Sequence, residues 1–200
     1  MIYAPTVKLQ ELARGLWRWT APHPEWEAPK QTDDPADWSR DVGCVAYEAT
    51  EALVLIDPLV VDGDYEALDE LAGSKQQVAI LTTLRWHRRS RDELAERYGA
   101  ASTPPDDVEA IKIPRAAETM FWIPEHRALV PGDRLLGDRP PGLRMCPPSW
   151  LRYLKGFTQD DLRLALRERL LELPIEMVLV SHGEPVLTEG RTQVERALAA

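Results

Sequence analysis

Four times along this 200-residue chain an apolar, β-branched run stops at a single aspartate or histidine. Ala52-Leu53-Val54-Leu55-Ile56 ends on Asp57, and Gln77 to Thr83 runs into a turn that carries His87. Arg127 to Val130 leads through Pro131-Gly132 to Asp133, and Glu176 to Val180 leads through Ser181 to His182. Runs of this kind read as buried strands. In α/β proteins, chemistry collects in the crevice beyond the carboxyl ends of strands. Each position alone is weak, because a lone histidine after a strand is more often a hydrogen-bonded structural residue and a Gly-Asp pair is usually only a turn. Together, their common placement predicts convergence on one edge of a sheet sandwich, with His87, His182 and Asp133 as candidate catalytic residues.

The turn around His87 is cationic, with Arg85, Arg88 and Arg89 close by. Ser90-Arg91-Asp92-Glu93 has the form of a capping box, which predicts a helix opening at Ser90. Arg85 and Arg89 beside the positive end of that helix suit a phosphate, sulfate or carboxylate. Arg85, Arg89 and Asp57 are therefore candidate ligand-binding residues. The competing expectation is that both arginines are consumed in ion pairs with Asp57 and Asp133. Arg88 and Arg91 read as solvated helix-surface residues.

Other elements follow from local pattern. Leu16 to Thr20 and Val42 to Tyr47 read as strands, Asp64 to Ala72 as a helix, and Val108 to Ile113 as a strand. Glu118 to Trp122 and Arg127 to Val130 form a hairpin around Pro124-Glu125. Arg139 to Pro148 reads as a crossing loop, Thr158 to Leu173 as the clearest helix, and Arg191 to Ala199 as a closing helix. Ala21 to Trp38 is a long Pro- and Trp-rich loop. It suits either a lid over an apolar ligand or tryptophans packed on a sheet edge.

Bulk properties exclude several functions. The length fits one domain spanning 1–200. A formal net charge of −9 argues against nucleic acid as a partner, because phosphate neutralisation needs a basic face. No apolar run reaches membrane-span length and the N-terminus lacks a signal-peptide pattern, so the expectation is a cytoplasmic protein without a membrane partner. Cys44 and Cys146 are most simply reduced thiols, with a single disulfide as the alternative. The oligomeric state is left open.

Leu55-Ile56-Asp57-Pro58, Pro124 to Asp133 and Ser181-His182-Gly183-Glu184-Pro185, in that order, resemble the metallo-β-lactamase superfamily of glyoxalase II-like hydrolases. The resemblance runs over nearly the whole chain. It implies an α+β fold, a four-layer αββα sandwich. The family's signature, Thr-His-x-His-x-Asp-His, is largely missing. Placing His87 on the second histidine puts Arg85 on the first, Arg89 on the aspartate and Ser90 on the last, and requires one extra residue after Thr83. The gapless register puts Leu84, Trp86, Arg88 and Arg89 on ligand positions instead. A further family histidine, expected near Pro114 to Glu118, is absent. Only His87, Asp133 and His182 have counterparts, and in the family these three do not all serve one metal position.

Three functions are compatible with these residues. The first expectation is a degenerate member without a metal cofactor, binding a small anionic molecule or a protein partner with little hydrolysis. The second is an ester, thioester or lactone hydrolase using one zinc on His87, Asp133 and His182. The third is a metal-free hydrolase with His87 or His182 as general base and arginines stabilising an oxyanion.

Overall fold

The alternating and solid apolar runs become two sheets in the computed structural model, which describes residues 7–28, 38–139 and 142–199. The first sheet holds β1 (Gln10–Ala13), β2 (Leu16–Pro22), β3 (Asp41–Glu48), β4 (Ala52–Ile56) and β5 (Gln77–Leu81) in sequence order. Its neighbours are antiparallel except β4 and β5, which run parallel because α1 (Glu66–Gly73) carries the chain back between them. The second sheet has the order β11-β8-β7-β6, from β6 (Glu109–Ile113), β7 (Glu118–Ile123), β8 (Ala128–Val130) and β11 (Met177–Val178). A separate hairpin pairs β9 (Leu135–Asp138) with β10 (Gly142–Met145).

Side-chain alternation sorts these strands into layers. Val54 and Ile56 of β4 join Val45, Leu81, Phe121, Ile123 and Val130 in a core between the sheets. Leu53 and Leu55, pointing the other way, pack under Leu68 of α1 and Leu94 of α2 (Arg91–Tyr98). On the far side, Met120, Trp122 and Leu129 meet Leu162, Leu166 and Leu170 of α3 (Gln159–Leu170) and Val194 of α4 (Gly190–Ala197). Helix, sheet, sheet, helix is the four-layer αββα sandwich. Among the described residues, no helix is long and apolar enough to cross a membrane.

Several local expectations are corrected. Arg139 to Pro148 is not simply a crossing loop, because Gly142 to Met145 pairs with Leu135 to Asp138. The chain also begins its first sheet earlier, at β1. Helix α3 stops at Leu170, with Arg169 exposed and Leu170 buried, so the stripe closes on Leu170 rather than reaching Leu173. Its N-terminus carries a true capping box between Thr158 and Asp161. Ser90 makes no such cap; its hydroxyl bonds both N–H and C=O of Val60. Cys44 and Cys146 are free and lie on opposite outer faces of the sandwich, which removes the disulfide alternative.

Candidate functional site

Beyond the ends of β4 and β5 the backbone leaves ordinary strand geometry. Asp57 and Arg89 both adopt positive φ, 49° and 40°. A left-handed conformation outside glycine costs on the order of 1–3 kcal/mol and persists where surrounding bonds enforce it. At Asp57 those bonds are visible. Its N–H donates to Leu81 O, Oδ1 accepts from the Thr83 N–H at 2.8 Å, and Oδ2 accepts from the Thr83 hydroxyl at 2.5 Å. His87 Nδ1 lies 2.8 Å from the same Oδ2. A carboxylate offers only acceptors, so Nδ1 carries a proton, and Nε2 offers a lone pair when the ring is neutral.

Nε2 faces Asp133. His87 Nε2 is 3.0 Å and His182 Nε2 is 3.2 Å from Asp133 Oδ1. Neither approach has hydrogen-bond geometry, and this buried oxygen has no hydrogen-bond partner among the described residues. One ligand atom from each of the three residues lies within 4.8 Å of the others. Burial would lower the His87 pKa, but the Asp57 and Asp133 carboxylates outweigh it and hold the group up at about 9. Asp133 shows the reverse balance: burial pushes it up, and the two imidazoles pull it well below the usual carboxylate range. His182 is driven down by burial, which exceeds the opposing effect of Asp133. Its Nδ1 is buried with no hydrogen-bond partner among the described residues.

Asp133 is set in place by its own backbone. The buried Glu118 carboxylate, at the start of β7, accepts the N–H groups of Gly132, Asp133 and Arg134 at 3.1, 2.8 and 3.1 Å. Burial raises Glu118 to about 7, against the counter-pull of Arg134. Arg134, buried to 1% exposure, ties this turn to Ala116 O and to the Tyr153 hydroxyl. The segment where the resemblance expects a histidine thus supplies a carboxylate that clamps the Asp133 turn.

The arginines do not behave as expected. Arg89 donates to the carbonyls of Gly43 and Asp57 at 2.9 and 2.8 Å and to Ser181 Oγ at 2.6 Å. It contacts the backbone of Asp57, not its carboxylate, and Asp133 pairs with imidazoles rather than guanidinium groups. Arg85 lies over the Trp86 ring, 3.7 Å from its centroid, and does not line the cavity. The anion site built from Arg85, Arg89 and the start of α2 is therefore not assembled. Arg88 is exposed and bonded to Asp92, which agrees with the register that places His87, not Arg88, inward.

A cavity of about 460 Å³ opens over the three residues. Its walls include His23, Trp38, Trp86, Arg89, Arg134, Trp150, Arg152 and Tyr153. Of these, the sequence points only to Arg89 and the Trp-rich loop. Trp38 stands edge-on to His182 with centroids 5.3 Å apart. Trp19 instead packs in the outer core, donating to Leu59 O, and Trp26 donates to Trp38 O. Residues 29–37 of that loop lie outside the described residues. The other walls come from distant segments with no sequence pattern of their own, and only proximity to His182 and His87 reveals them.

Solved structures share the fold over most of their length. One is an NDM/FIM-1-like metallo-β-lactamase from Erythrobacter litoralis in its mono-zinc form. It has a TM-score of 0.60 and 15% identity, over 100% of this chain and 98% of that one. The chain has the metallo-β-lactamase fold. DIM-1 metallo-β-lactamase matches with a TM-score of 0.57 and 14% identity, over 96% of this chain and 99% of that one. The metallo-β-lactamase family protein TTHA1429 from Thermus thermophilus gives 0.53 and 16%, over 94% and 80%. No protein-family model matches the sequence, and no curated protein matches it.

Proposed function

We propose that the protein is a hydrolase of ester, thioester or lactone bonds working with one divalent metal, zinc by preference, held by His87, Asp133 and His182. One observation carries the reading: a buried carboxylate oxygen with no hydrogen-bond partner among the described residues faces the Nε2 atoms of two imidazoles. Two histidines and a carboxylate, with room left for a water or substrate oxygen, suit catalytic zinc. Such an ion, when bound, supplies Lewis-acid polarisation of a carbonyl and of water at neutral pH. The chain's own residues do the rest. Asp57 and Thr83 hold the His87 tautomer, Glu118 holds the Asp133 turn, and the permanent charge of Arg89 opposes a second dication beside the first. Three arginines against Glu25 and Asp133 in the cavity wall favour an anionic substrate.

A second reading has its own support. With its pKa at about 9, His87 is an imidazolium at neutral pH and bridges Asp57 and Asp133 without any metal. The cavity would then bind a small anion or a partner with little hydrolysis. Elemental analysis of protein purified without chelator separates the two. The first reading expects one zinc per chain, retained through dialysis and lost in His87→Ala and His182→Ala, with esterase activity removed by chelator. Two zinc ions per chain, or none with chelator-insensitive behaviour, would overturn it.

A further inference from the structure

We infer that the cavity takes a flat, apolar anion, an aryl or comparably planar carboxylate, as the recognised part of the substrate. This rests on the reading above only in taking the His87–Asp133–His182 cavity as the working site.

The first observation is an exposed aromatic pair. Trp86 and Tyr153 are 51% and 42% exposed, among the few large apolar side chains left in solvent. Both line the cavity, with ring centroids 5.8 Å apart at 80°. Leaving such area open costs hydrophobic free energy that packing elsewhere does not recover. Arg85 lies over the Trp86 ring and 5.4 Å from the Tyr153 centroid, next to both aromatics but outside the cavity lining.

Trp38 and Trp150 stand edge-on to His182, at 5.3 and 5.9 Å between centroids. With Trp86 and Tyr153 they give the cavity over the three polar residues a largely aromatic wall. An aromatic wall alone would also suit a cation. Arg89, Arg134 and Arg152 in the same wall, against the carboxylates Asp133 and Glu25, favour an anion instead. Arg134 bonds Ala116 O and the Tyr153 hydroxyl, and Arg89 bonds the Gly43 and Asp57 carbonyls and Ser181 Oγ while its buried Nε has no hydrogen-bond partner among the described residues; both add positive potential to the wall. Arg152 is exposed and fixed through Nε to Ser149 O, which leaves its outer nitrogens facing solvent at the mouth. The apolar ring and the negative charge of the ligand thus have separate, adjacent partners.

Calorimetric titration with 2-naphthoate, its neutral isostere naphthalene-2-carboxamide, and acetate tests this. Naphthoate should bind at least about tenfold more tightly than either comparison probe. Trp86→Ala should weaken it by about three- to tenfold, Arg152→Ala should bring naphthoate and carboxamide together, and Leu164→Ala, on the exposed face of α3, should change nothing. Equal affinity for naphthoate and carboxamide, equal affinity for naphthoate and acetate, or no binding at about 5 mM would each overturn the inference. Zinc content measured on the same sample keeps the two readings apart. Selective naphthoate binding by zinc-free protein removes the metal proposal alone, and zinc-loaded protein without that selectivity removes this one alone.

Discussion

Asp57 is the residue on which the site's chemistry turns. Its carboxylate takes the Thr83 N–H and hydroxyl and the His87 Nδ1 proton, so one side chain fixes both a strained backbone and an imidazole tautomer. Partners of this kind orient metal-binding histidines, and losing one typically costs about 10–100-fold in metal affinity. Asp57→Asn keeps the shape but offers an amide N–H where an acceptor is needed. Zinc affinity, measured by competition with a chromophoric chelator, should fall by about that range. An unchanged affinity would reduce Asp57 to a packing residue.

At the scale of elements, the β9–β10 hairpin decides where His182 sits. Gly137 N donates to His182 O at 2.8 Å, and the two backbones approach closely. A Cβ at Gly137 would lie 2.4 Å from Glu184 O and 2.6 Å from Glu184 N, both backbone atoms that cannot rotate away. Gly137→Ala should therefore cost about 1–3 kcal/mol or more, read as a lower midpoint in chemical denaturation, and should weaken zinc binding by shifting His182. Wild-type stability and affinity in that variant would mean that the hairpin does not seat against the Ser181–Gly183 turn.

For the whole molecule, the site's charge state links to stability. In metal-free protein His87 is held at about 9 against an ordinary 6.5. Between those values the folded chain keeps a proton that the unfolded chain has released. The stabilisation is therefore complete below pH 6.5 and is lost as pH rises through 9, by an amount on the order of 3 kcal/mol. Glu118, raised to about 7 from 4.5, adds a loss of the same sign at lower pH. Chelator-treated protein should show a denaturation midpoint that falls from pH 6.5 to 9, with the His87 imidazole titrating near the top of that window by NMR. A flat or rising midpoint, or a His87 titration near 6.5, would show that the two carboxylates do not hold its proton.

The sequence by itself determined most of the strands and the four polar residues that leave them, while the layered sandwich was implied by the family resemblance. Those depend on local periodicity, and a buried run such as Ala52 to Ile56 has little choice of structure. The β9–β10 hairpin escaped because its strands are short and proline-flanked, and the Ser90 cap failed because Val60, thirty residues away, offered the hydroxyl better partners. Only the tertiary structure decided the pairings. Arg89 and Asp57 look like an ion pair in sequence. Folding brings Gly43, Ser181 and the Asp57 carbonyl to the guanidinium, and Thr83 and His87 to the carboxylate. The cavity walls are likewise assembled from segments around residues 23, 38, 86, 134 and 150. Their chemistry comes from proximity across the sandwich edge, which no local pattern encodes.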